Sequence, residues 1–288
     1  MYDKIELGEY ATGAPALSSI DLMPAIGWTG IDQPSHLNVL YGYDLRQPTK
    51  ITLWNETSRV GPALTTNGGL SFLGWTGTDT PSHLNVASSP DAWRSHAKHT
   101  SGVETSKLAP ALAFGDGLLF LAWTGQDSRL NVAASNDDGV SFPYKTTLDE
   151  VSNAGPALAF VRGAVFLLWA GTDQRLNLLS TNDLMGLTFT NKVTLDELSR
   201  SAPALTLADR YTLAWTGLDD RLNTLESADG RVFSDKRTYD DTSIAGPAVV
   251  VWQEVPVICW TGMDKQLNVA SLAQGVRLPR GARAGYAG

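Results

Sequence analysis

The feature that most constrains this chain is one phrase that it repeats six times. Each copy has a tryptophan, a short turn with an aspartate, and then Leu-Asn, as in WTGQDSRLNV from Trp123. A second element of the form Gly/Ala-Pro-Ala precedes each copy, as in GPAL from Gly155. The six tryptophans are 45 to 48 residues apart and are Trp28, Trp75, Trp123, Trp169, Trp215 and Trp260. Six repeats use nearly the whole chain, which argues against a division into two domains.

Within one repeat, the apolar pattern is that of short strands. In the third repeat, four β-type runs cover residues 110–114, 118–125, 129–135 and 141–148, and turns rich in Gly and Asp separate them. Four short strands at this period are typical of one propeller blade. The sequence therefore predicts an all-β fold, a six-bladed β-propeller of four-stranded antiparallel blades.

The two ends of the chain predict how the ring closes. The sixth repeat supplies only three strands, whereas residues 2–15 align with residues 234–247 and match Asp3 with Asp235 and Lys4 with Lys236. We therefore expect the N-terminal strand to be the outer strand of the last blade, which leaves no free sheet edge at the seam. Residues 1–275 are predicted to be a single propeller domain, and residues 276–288 a C-terminal tail.

Composition excludes some partners. The net charge of -8, without a run of Lys or Arg, argues against nucleic acid and against an anionic membrane surface. No apolar run is long enough to insert into a membrane, and the first residues do not form a signal peptide. Neither fact fixes a compartment, and secreted or cell-surface use is compatible with both. The single cysteine, Cys259, lies in an apolar run, which indicates a buried hydrophobic residue rather than a reactive thiol.

One turn sequence carries a family resemblance. SNDDGVSF, from Ser135, fits the Ser-x-Asp-x-Gly-x-x-aromatic pattern of an Asp-box, which joins the third and fourth strands of sialidase-type blades. SADGRVF from Ser227 is one residue short, STNDLMGLTF from Ser180 is longer, and the first, second and sixth repeats lack the pattern. The chain thus resembles the sialidase-like, Asp-box six-bladed propellers, whose members include enzymes and non-enzymes.

The resemblance also implies which catalytic groups a sialidase would need. These are three arginines that bind a substrate carboxylate, a tyrosine activated by a glutamate, and an aspartate acid/base. A Phe/Tyr-Arg-Ile-Pro segment usually accompanies them, and this chain has no such segment. The nearest triad, Arg129, Arg175 and Arg221, has an aspartate two residues before each arginine, which would partly neutralise a clamp. Glu9 and Tyr10 are adjacent on a strand and should point to opposite faces. We therefore expect no catalytic residues, with a sialidase-like glycoside hydrolase as the alternative.

No cofactor is predicted either. His36 and His83 occupy equivalent places in two turns enlarged by a Pro-Ser insertion, but no His or Cys spacing typical of a zinc or copper site occurs. No calcium loop of the EF-hand kind and no glycine-rich phosphate cradle is present.

The repeated acids lie where two kinds of connection should share one face of the ring. These connections are the turn between the second and third strands, called here the WTGxD loop, and the linker to the next blade. The WTGxD aspartates are Asp32, Asp79, Asp127, Asp173, Asp219 and Asp264, and the linker acids are Glu9, Glu56, Glu104, Glu150, Glu197 and Asp241. Most linker acids have a serine two residues later, as in Ser152. The sequence therefore predicts one face ringed by twelve acids.

Two interpretations of this ring remain open. In the structural interpretation, the glycine of the WTGxD loop has a positive φ and the aspartate closes an Asx-turn. The linker acid and serine hydrogen-bond to the adjacent backbone, and the repeated asparagine is buried and hydrogen-bonds to the backbone. The tryptophan packs between blades. In the functional one, blade junctions form shallow sugar sites in which carboxylates, amides and arginines meet hydroxyls and an aromatic face stacks on the sugar ring. Weak sites of this kind gain from multivalency.

The functional interpretation predicts a carbohydrate-binding, lectin-like propeller with glycans or glycoconjugates as partners. Its candidate ligand-binding residues are the twelve acids together with Arg129, Arg175 and Arg221, and blades three to five are the better sites because they carry the arginines. The other alternative is a protein-interaction scaffold or a targeting module of a larger toxin or surface protein. The sequence predicts neither the sugar nor the oligomeric state.

Overall fold

The computed structural model describes residues 1–20 and 23–278, and in this part of the chain every regular element is a β-strand. The N-terminal strand is β1 (Tyr2–Tyr10). Blade 1 contains β2 (Ala16–Ile20), β3 (Met23–Thr29), β4 (His36–Tyr41) and β5 (Thr49–Thr57). Blade 2 contains β6 (Ala63–Thr66), β7 (Ser71–Thr76), β8 (His83–Ser89) and β9 (Ala97–Thr105). Blade 3 contains β10 (Ala111–Gly115), β11 (Leu118–Thr124), β12 (Arg129–Ser135) and β13 (Tyr144–Val151).

The second half of the ring repeats this plan. Blade 4 contains β14 (Ala157–Val161), β15 (Ala164–Ala170), β16 (Arg175–Thr181) and β17 (Thr190–Leu198). Blade 5 contains β18 (Ala204–Leu207), β19 (Tyr211–Thr216), β20 (Arg221–Ser227) and β21 (Phe233–Thr242). Blade 6 contains β22 (Ala248–Trp252), β23 (Val255–Thr261) and β24 (Gln266–Ser271). Its fourth strand is β1, which pairs antiparallel with β24. The predicted six-bladed propeller and its closure by the N-terminal strand are confirmed.

The core lies between the blades, because each sheet is covered on both faces by its neighbours. The six repeated tryptophans are each 1% exposed and belong to clusters of apolar side chains. Trp169, for example, packs with Phe120 of the preceding blade. The predicted structural role of the tryptophans, packing between blades, is therefore confirmed.

The inner linkers show an alternation around the ring axis. The position before each Pro-Ala is alternately alanine and glycine, in the order Ala14, Gly61, Ala109, Gly155, Ala202 and Gly246. A Cβ added at Gly155 would overlap the carbonyl oxygen of Ala109 in the preceding blade, and Gly61 and Gly246 make the equivalent approach to Ala14 and Ala202. Glycine is therefore required in every second linker, because the backbones of successive blades approach too closely for a side chain.

The Asp-box turns lie between the third and fourth strands, at the end of the blade opposite the WTGxD loops. In blade 3, Ser141 donates both its N–H (2.9 Å) and its hydroxyl (2.6 Å) to Asp137, and the N–H of Gly139 donates to the Ser135 hydroxyl (2.9 Å). These bonds to the carboxylate lower the pKa of Asp137 to about 2. Blade 2 has the same turn, which the sequence pattern missed.

The blade 2 turn is built on Ser89, Asp91 and Ser95. Ser95 donates its N–H (2.8 Å) and hydroxyl (2.7 Å) to Asp91, and the N–H of Trp93 donates to the Ser89 hydroxyl (2.8 Å). Trp93 stands at the position of Gly139 and adopts φ 69°, a left-handed conformation that rarely holds a large side chain. The second repeat thus lacks the sequence pattern but keeps these hydrogen bonds, because a tryptophan fills the glycine position.

The predicted tail begins within the described residues and continues outside them. Leu278 is 1% exposed, packs in the cluster between blades 6 and 1, and its N–H donates to Asp3 (2.8 Å). The domain boundary at residue 275 stays a prediction, and residues 279–288 lie outside the described residues. The described part of the chain contains no helix that is long and apolar enough to span a membrane.

Candidate functional site

The WTGxD loops of blades 3 to 6 are tight turns closed by their aspartate. In blade 3, Asp127 Oδ1 accepts the N–H of Arg129 (3.1 Å), and the N–H of Gly125 donates to the Arg129 carbonyl (2.8 Å). Asp173, Asp219 and Asp264 make the same bond to the residue two positions later. One carboxylate oxygen thus holds the turn, while the second takes no hydrogen bond from the described residues.

The glycine of this loop is needed for space rather than for its φ. The glycines with positive φ do not include Gly125, and the left-handed residue of the turn is Ser128 (φ 65°). A Cβ on Gly125 would lie 2.7 Å from Asp127 Oδ1. The predicted positive φ at the glycine is therefore wrong, and the glycine is required because the aspartate folds over it.

The enlarged loops of blades 1 and 2 use both oxygens of their aspartate. His83 donates its N–H to Asp79 Oδ1 (3.2 Å), and its Nδ1 lies 2.5 Å from Asp79 Oδ2. This contact with His83 lowers the pKa of Asp79. His36 and Asp32 make the same pair of contacts in blade 1. In the two loops with the Pro-Ser insertion, the histidine therefore engages both oxygens of the aspartate, whereas one oxygen stays unbonded in the shorter loops.

The linker acids form ion pairs across the blade junctions. Each accepts a hydrogen bond from a lysine on the outer strand of the next blade, as in Glu150 with Lys192 (2.6 Å). The other pairs are Glu9–Lys50, Glu56–Lys98, Glu104–Lys145, Glu197–Lys236 and Asp241–Lys4, at 2.5 to 3.0 Å. The expectation that these acids bond the adjacent backbone is wrong, because the lysines take them. The serines do bond the backbone, since the buried Ser152 donates to the carbonyls of Ala154 (3.0 Å) and Ala170 (2.7 Å).

The same lysines cover the repeated tryptophans. Lys192 Nζ lies 5.5 Å from the ring centroid of Trp169, and all six junctions repeat this cation–π contact at 5.1 to 5.5 Å. A tryptophan that is 1% exposed and covered by an ammonium group cannot stack on a sugar. The functional interpretation was wrong about these rings.

The repeated asparagine is a staple, as the structural interpretation predicted. Asn131 Nδ2 donates to the Arg129 carbonyl (3.1 Å), and its Oδ1 accepts the hydroxyl of Thr147 on the outer strand (2.6 Å). Blades 1, 2, 4 and 5 repeat both bonds. The side-chain amide therefore makes its hydrogen bonds within the blade and is not available to a ligand.

The three arginines have partners that the sequence did not predict. Arg129 Nη2 donates to Asp149 Oδ1 (2.5 Å) on the outer strand, and its Nε donates to the Leu148 carbonyl (3.0 Å). Arg175 pairs with Asp196 and Arg221 with Asp240 in the same way. These aspartate side chains are 93 to 102% exposed, whereas the arginines are about two-fifths exposed. Each of blades 3 to 5 therefore presents the same Arg–Asp pair to solvent, next to its WTGxD aspartate.

The junction between blades 5 and 6 brings two predicted acids into one cleft. Asp241, a linker acid, and Asp264, a WTGxD aspartate, line a cleft of about 340 Å³ together with Lys4, Asp240 and Trp260. A linker acid and the WTGxD aspartate of the following blade therefore share one space. No group of three or more metal-ligating side chains is found among the described residues.

Trp54 is a surface aromatic residue that the sequence analysis missed. Its side chain lies on β5 and is 72% exposed, whereas the other eight tryptophans are at most 2% exposed. Its ring packs edge-on against His36, with the centroids 5.1 Å apart. A signal was present, because Trp54 occupies the outer-strand position at which blades 3 to 5 have the exposed aspartates Asp149, Asp196 and Asp240.

Comparisons with known proteins identify the fold. No family model and no curated protein matches the chain. Among solved structures, it is similar to AofleA of Arthrobotrys oligospora, with a TM-score of 0.69, 10% identity and coverage of 95% of this chain and 86% of that one. It is also similar to the Aleuria aurantia lectin solved with Fucα1-6GlcNAc, with a TM-score of 0.64, 10% identity and coverage of 96% and 99%. It is similar as well to the Trypanosoma rangeli sialidase solved with DANA, with a TM-score of 0.62, 10% identity and coverage of 92% of this chain and 55% of that one.

These likenesses define the class as a six-bladed β-propeller of the fold that sialidases and lectins share. The chain spans almost the whole Aleuria lectin but only about half of the Trypanosoma sialidase. At this level of identity the likeness concerns the fold, and function has to be argued from the surface.

Proposed function

We propose that this protein binds carbohydrate without catalysis, at shallow sites that recur at blade junctions on the WTGxD face. The observation that carries the proposal is the exposed Arg–Asp pair that blades 3, 4 and 5 repeat beside a WTGxD aspartate. A guanidinium group donates in fixed directions and a carboxylate accepts, which suits neighbouring hydroxyls of a sugar. Three adjacent copies on one face suit a ligand that is itself repeated.

The candidate residues differ in what they offer. Asp127, Asp173 and Asp219 each have a carboxylate oxygen that accepts no bond within the described chain, so they rank first together with Arg129, Arg175 and Arg221. Opening an exposed Arg–Asp pair for a ligand costs little, because such pairs contribute at most about 1 kcal/mol. The cleft of Asp241 and Asp264 ranks next.

The remaining candidates lie behind lysines or histidines. Asp32 and Asp79 are closed by histidines. Glu9, Glu104, Glu150 and Glu197 are neutralised by lysines, and we assign them the role of orienting the junction. Glu56 is only 7% exposed at its side chain and cannot reach a ligand directly. Trp54 joins the set as an aromatic surface at blade 1.

The ligand class follows from the surface and from the similar proteins. Exposed pairs of opposite charge favour a neutral, hydroxyl-rich molecule over an anion or an apolar one. The Aleuria lectin was solved with Fucα1-6GlcNAc, and another similar structure is a lectin in complex with α-methyl fucoside. Fucosylated glycans are therefore the first ligands to test.

A hydrolytic function finds less support. Arg129, Arg175 and Arg221 belong to three successive blades, and each bonds an aspartate of its own outer strand, so they do not converge on one substrate carboxylate. Glu9 pairs with Lys50, while the hydroxyl of Tyr10 accepts from Gln266 (3.2 Å). The glutamate and tyrosine that a sialidase would couple thus point to different partners.

The test is a glycan array at high surface density. We expect binding by the unmodified chain, and a loss of at least tenfold when Arg129, Arg175 and Arg221 are all changed to alanine. The charge-matched control changes Arg59, Lys107 and Arg200 to alanine, since these linker cations form no ion pair among the described residues.

The outcomes separate the hypotheses. Absence of any glycan signal would refute the proposal. An equal loss in the control variant would show that the binding comes from non-specific charge attraction. Hydrolysis of a fluorogenic sialoside that disappears in Arg175→Ala would establish the enzyme instead.

A further inference from the structure

One blade junction lacks a side chain that the other five have. On each outer strand, the residue paired with the repeated asparagine is followed by one that points into the junction with the next blade. In five blades this residue is large and packs in the core between blades, as Leu7, Leu53, Leu148, Leu195 and Tyr239. In blade 2 it is Ser101, and Gly102 follows. The core cluster between blades 2 and 3 accordingly contains no residue of β9.

A cleft of about 290 Å³ occupies the place of the missing side chain. Leu84 and Val86 of blade 2 and Leu121, Ala133 and Phe142 of blade 3 line its apolar walls. The deep walls are almost fully buried, while Val103 and Val140 at the mouth are 81% and 56% exposed. Two of the most exposed apolar side chains in the described chain thus flank the entrance to an apolar cleft, which is the arrangement of a ligand pocket.

The strand that borders the cleft is held in place, so the space does not close. Thr100 donates to Asn85 Oδ1 (2.6 Å), and Lys98 pairs with Glu56 (2.6 Å). The Ser101 hydroxyl accepts the N–H of Glu104 (2.8 Å), which turns it toward its own backbone. β9 therefore keeps the position of its counterparts without the side chain that would fill the junction.

Part of the cleft lining is polar. His99, Ser101 and the Glu104–Lys145 pair belong to this lining together with the leucines, and the ion pair is 2.5 Å long. The side chain of His99 makes no hydrogen bond to the described residues and is available to a ligand, whereas the Ser101 oxygen already accepts two backbone N–H groups and the ion pair is engaged. The cleft thus combines an apolar body with a hydrogen-bonding edge.

We propose that this cleft binds a small neutral amphipathic molecule, with a six-membered ring or a chain of about six carbons against the leucines and a hydroxyl group toward His99. The site goes beyond the proposed glycan surface. Its walls are aliphatic and aromatic, and it depends on a departure from the repeat rather than on the repeat itself.

Phenol and 1-hexanol are the probes, because neither is a sugar. We expect both to shift the indole N–H resonance of Trp123, which lines the cleft, when the full chain is titrated and followed by NMR. Ser101→Leu restores the side chain of the other blades, so it should weaken binding at least tenfold and raise the thermal unfolding midpoint by about 2 to 4 °C. Ser101→Ala is the matched small variant and should keep the binding.

A second filling variant guards against a local packing failure. Ser101→Met fills the same space with a flexible, unbranched side chain, and it should also weaken binding. The proposal is overturned if the unmodified chain binds neither probe, or if both filling variants bind as well as Ser101→Ala. Glycan-array signals of these variants should remain unchanged, so failure of one proposal is distinguishable from failure of the other.

Discussion

Removal of one junction lysine should have very different effects at two equivalent places. Lys98 and Lys192 each pair with the linker acid of the preceding blade and each lie over a tryptophan. The Glu56 carboxylate that faces Lys98 is 7% exposed, whereas the Glu150 carboxylate that faces Lys192 is 26% exposed. We therefore expect Lys98→Met to destabilise the fold far more than Lys192→Met.

The magnitude follows from burial. A buried charge that loses its partner costs about 3 to 5 kcal/mol, while exposed pairs contribute about 0.2 to 1 kcal/mol. Lys98 is itself 34% exposed, and His96 lies 3.6 Å from Glu56, so we expect a cost at or just below the low end of the buried range, about 2 to 3 kcal/mol. For Lys192→Met we expect about 0.5 to 1 kcal/mol. Methionine keeps an unbranched apolar chain over the tryptophan, so the comparison isolates the charge.

The assay is equilibrium denaturation in urea at pH 7, at low salt and in 1 M NaCl. Salt should shrink the small effect of Lys192→Met and leave most of the effect of Lys98→Met, because buried charges are poorly screened. Adding Glu56→Gln to Lys98→Met should restore most of the lost stability, since the unpaired charge is gone. Equal effects of the two lysine variants, or no rescue by the glutamine, would refute the argument from burial.

Three further outcomes are expected. Gly155→Ala should destabilise the fold by about 1 to 3 kcal/mol in thermal denaturation, because its Cβ overlaps the Ala109 carbonyl, and unchanged stability would contradict the close approach. The pKa of Asp137, about 2 against an ordinary 3.8, means that its carboxylate stabilises the fold above pH 4 and loses this effect as the pH falls toward 2. Asp137→Asn should therefore flatten the dependence of the unfolding midpoint between pH 5 and 2, whereas Asp138→Asn should leave it as it is. Trp54→Ala should leave the unfolding midpoint unchanged, because the ring is 72% exposed, and should lower the affinity for fucosylated glycans, with Val232→Ala as the equally exposed control.

The sequence predicted the ring because its turns are local. Asp127 accepts the N–H of the residue two positions later, and Asn131 donates to the carbonyl of the residue two positions earlier. Local bonds of this kind leave the same residue spacing in every repeat. The blade count, the closure by β1 and the role of Asn131 could therefore be inferred before any coordinates existed.

The junction pairs could not be inferred in the same way. Glu150 and Lys192 are 42 residues apart and meet only because one blade packs on the next. The signal was nevertheless present, since a lysine stands at the same place on all six outer strands, as Lys4, Lys50, Lys98, Lys145, Lys192 and Lys236. The six lysines neutralise the linker acids, so the ring is less acidic and less available to ligands than the acids alone indicate.

The repeat also explains why departures from it are the places to look for binding. Each blade contacts mainly its two neighbours, so a weakened junction changes stability locally and the effects of distant junctions add. The ring can therefore tolerate Ser101 where five blades have a leucine or tyrosine, and Trp54 where blades 3 to 5 have an aspartate. The tryptophan and the asparagine that every blade repeats are buried and closed to a ligand. Surfaces that one blade or three blades carry are not needed for closure, and these hold the exposed Arg–Asp pairs, the exposed indole and the apolar cleft.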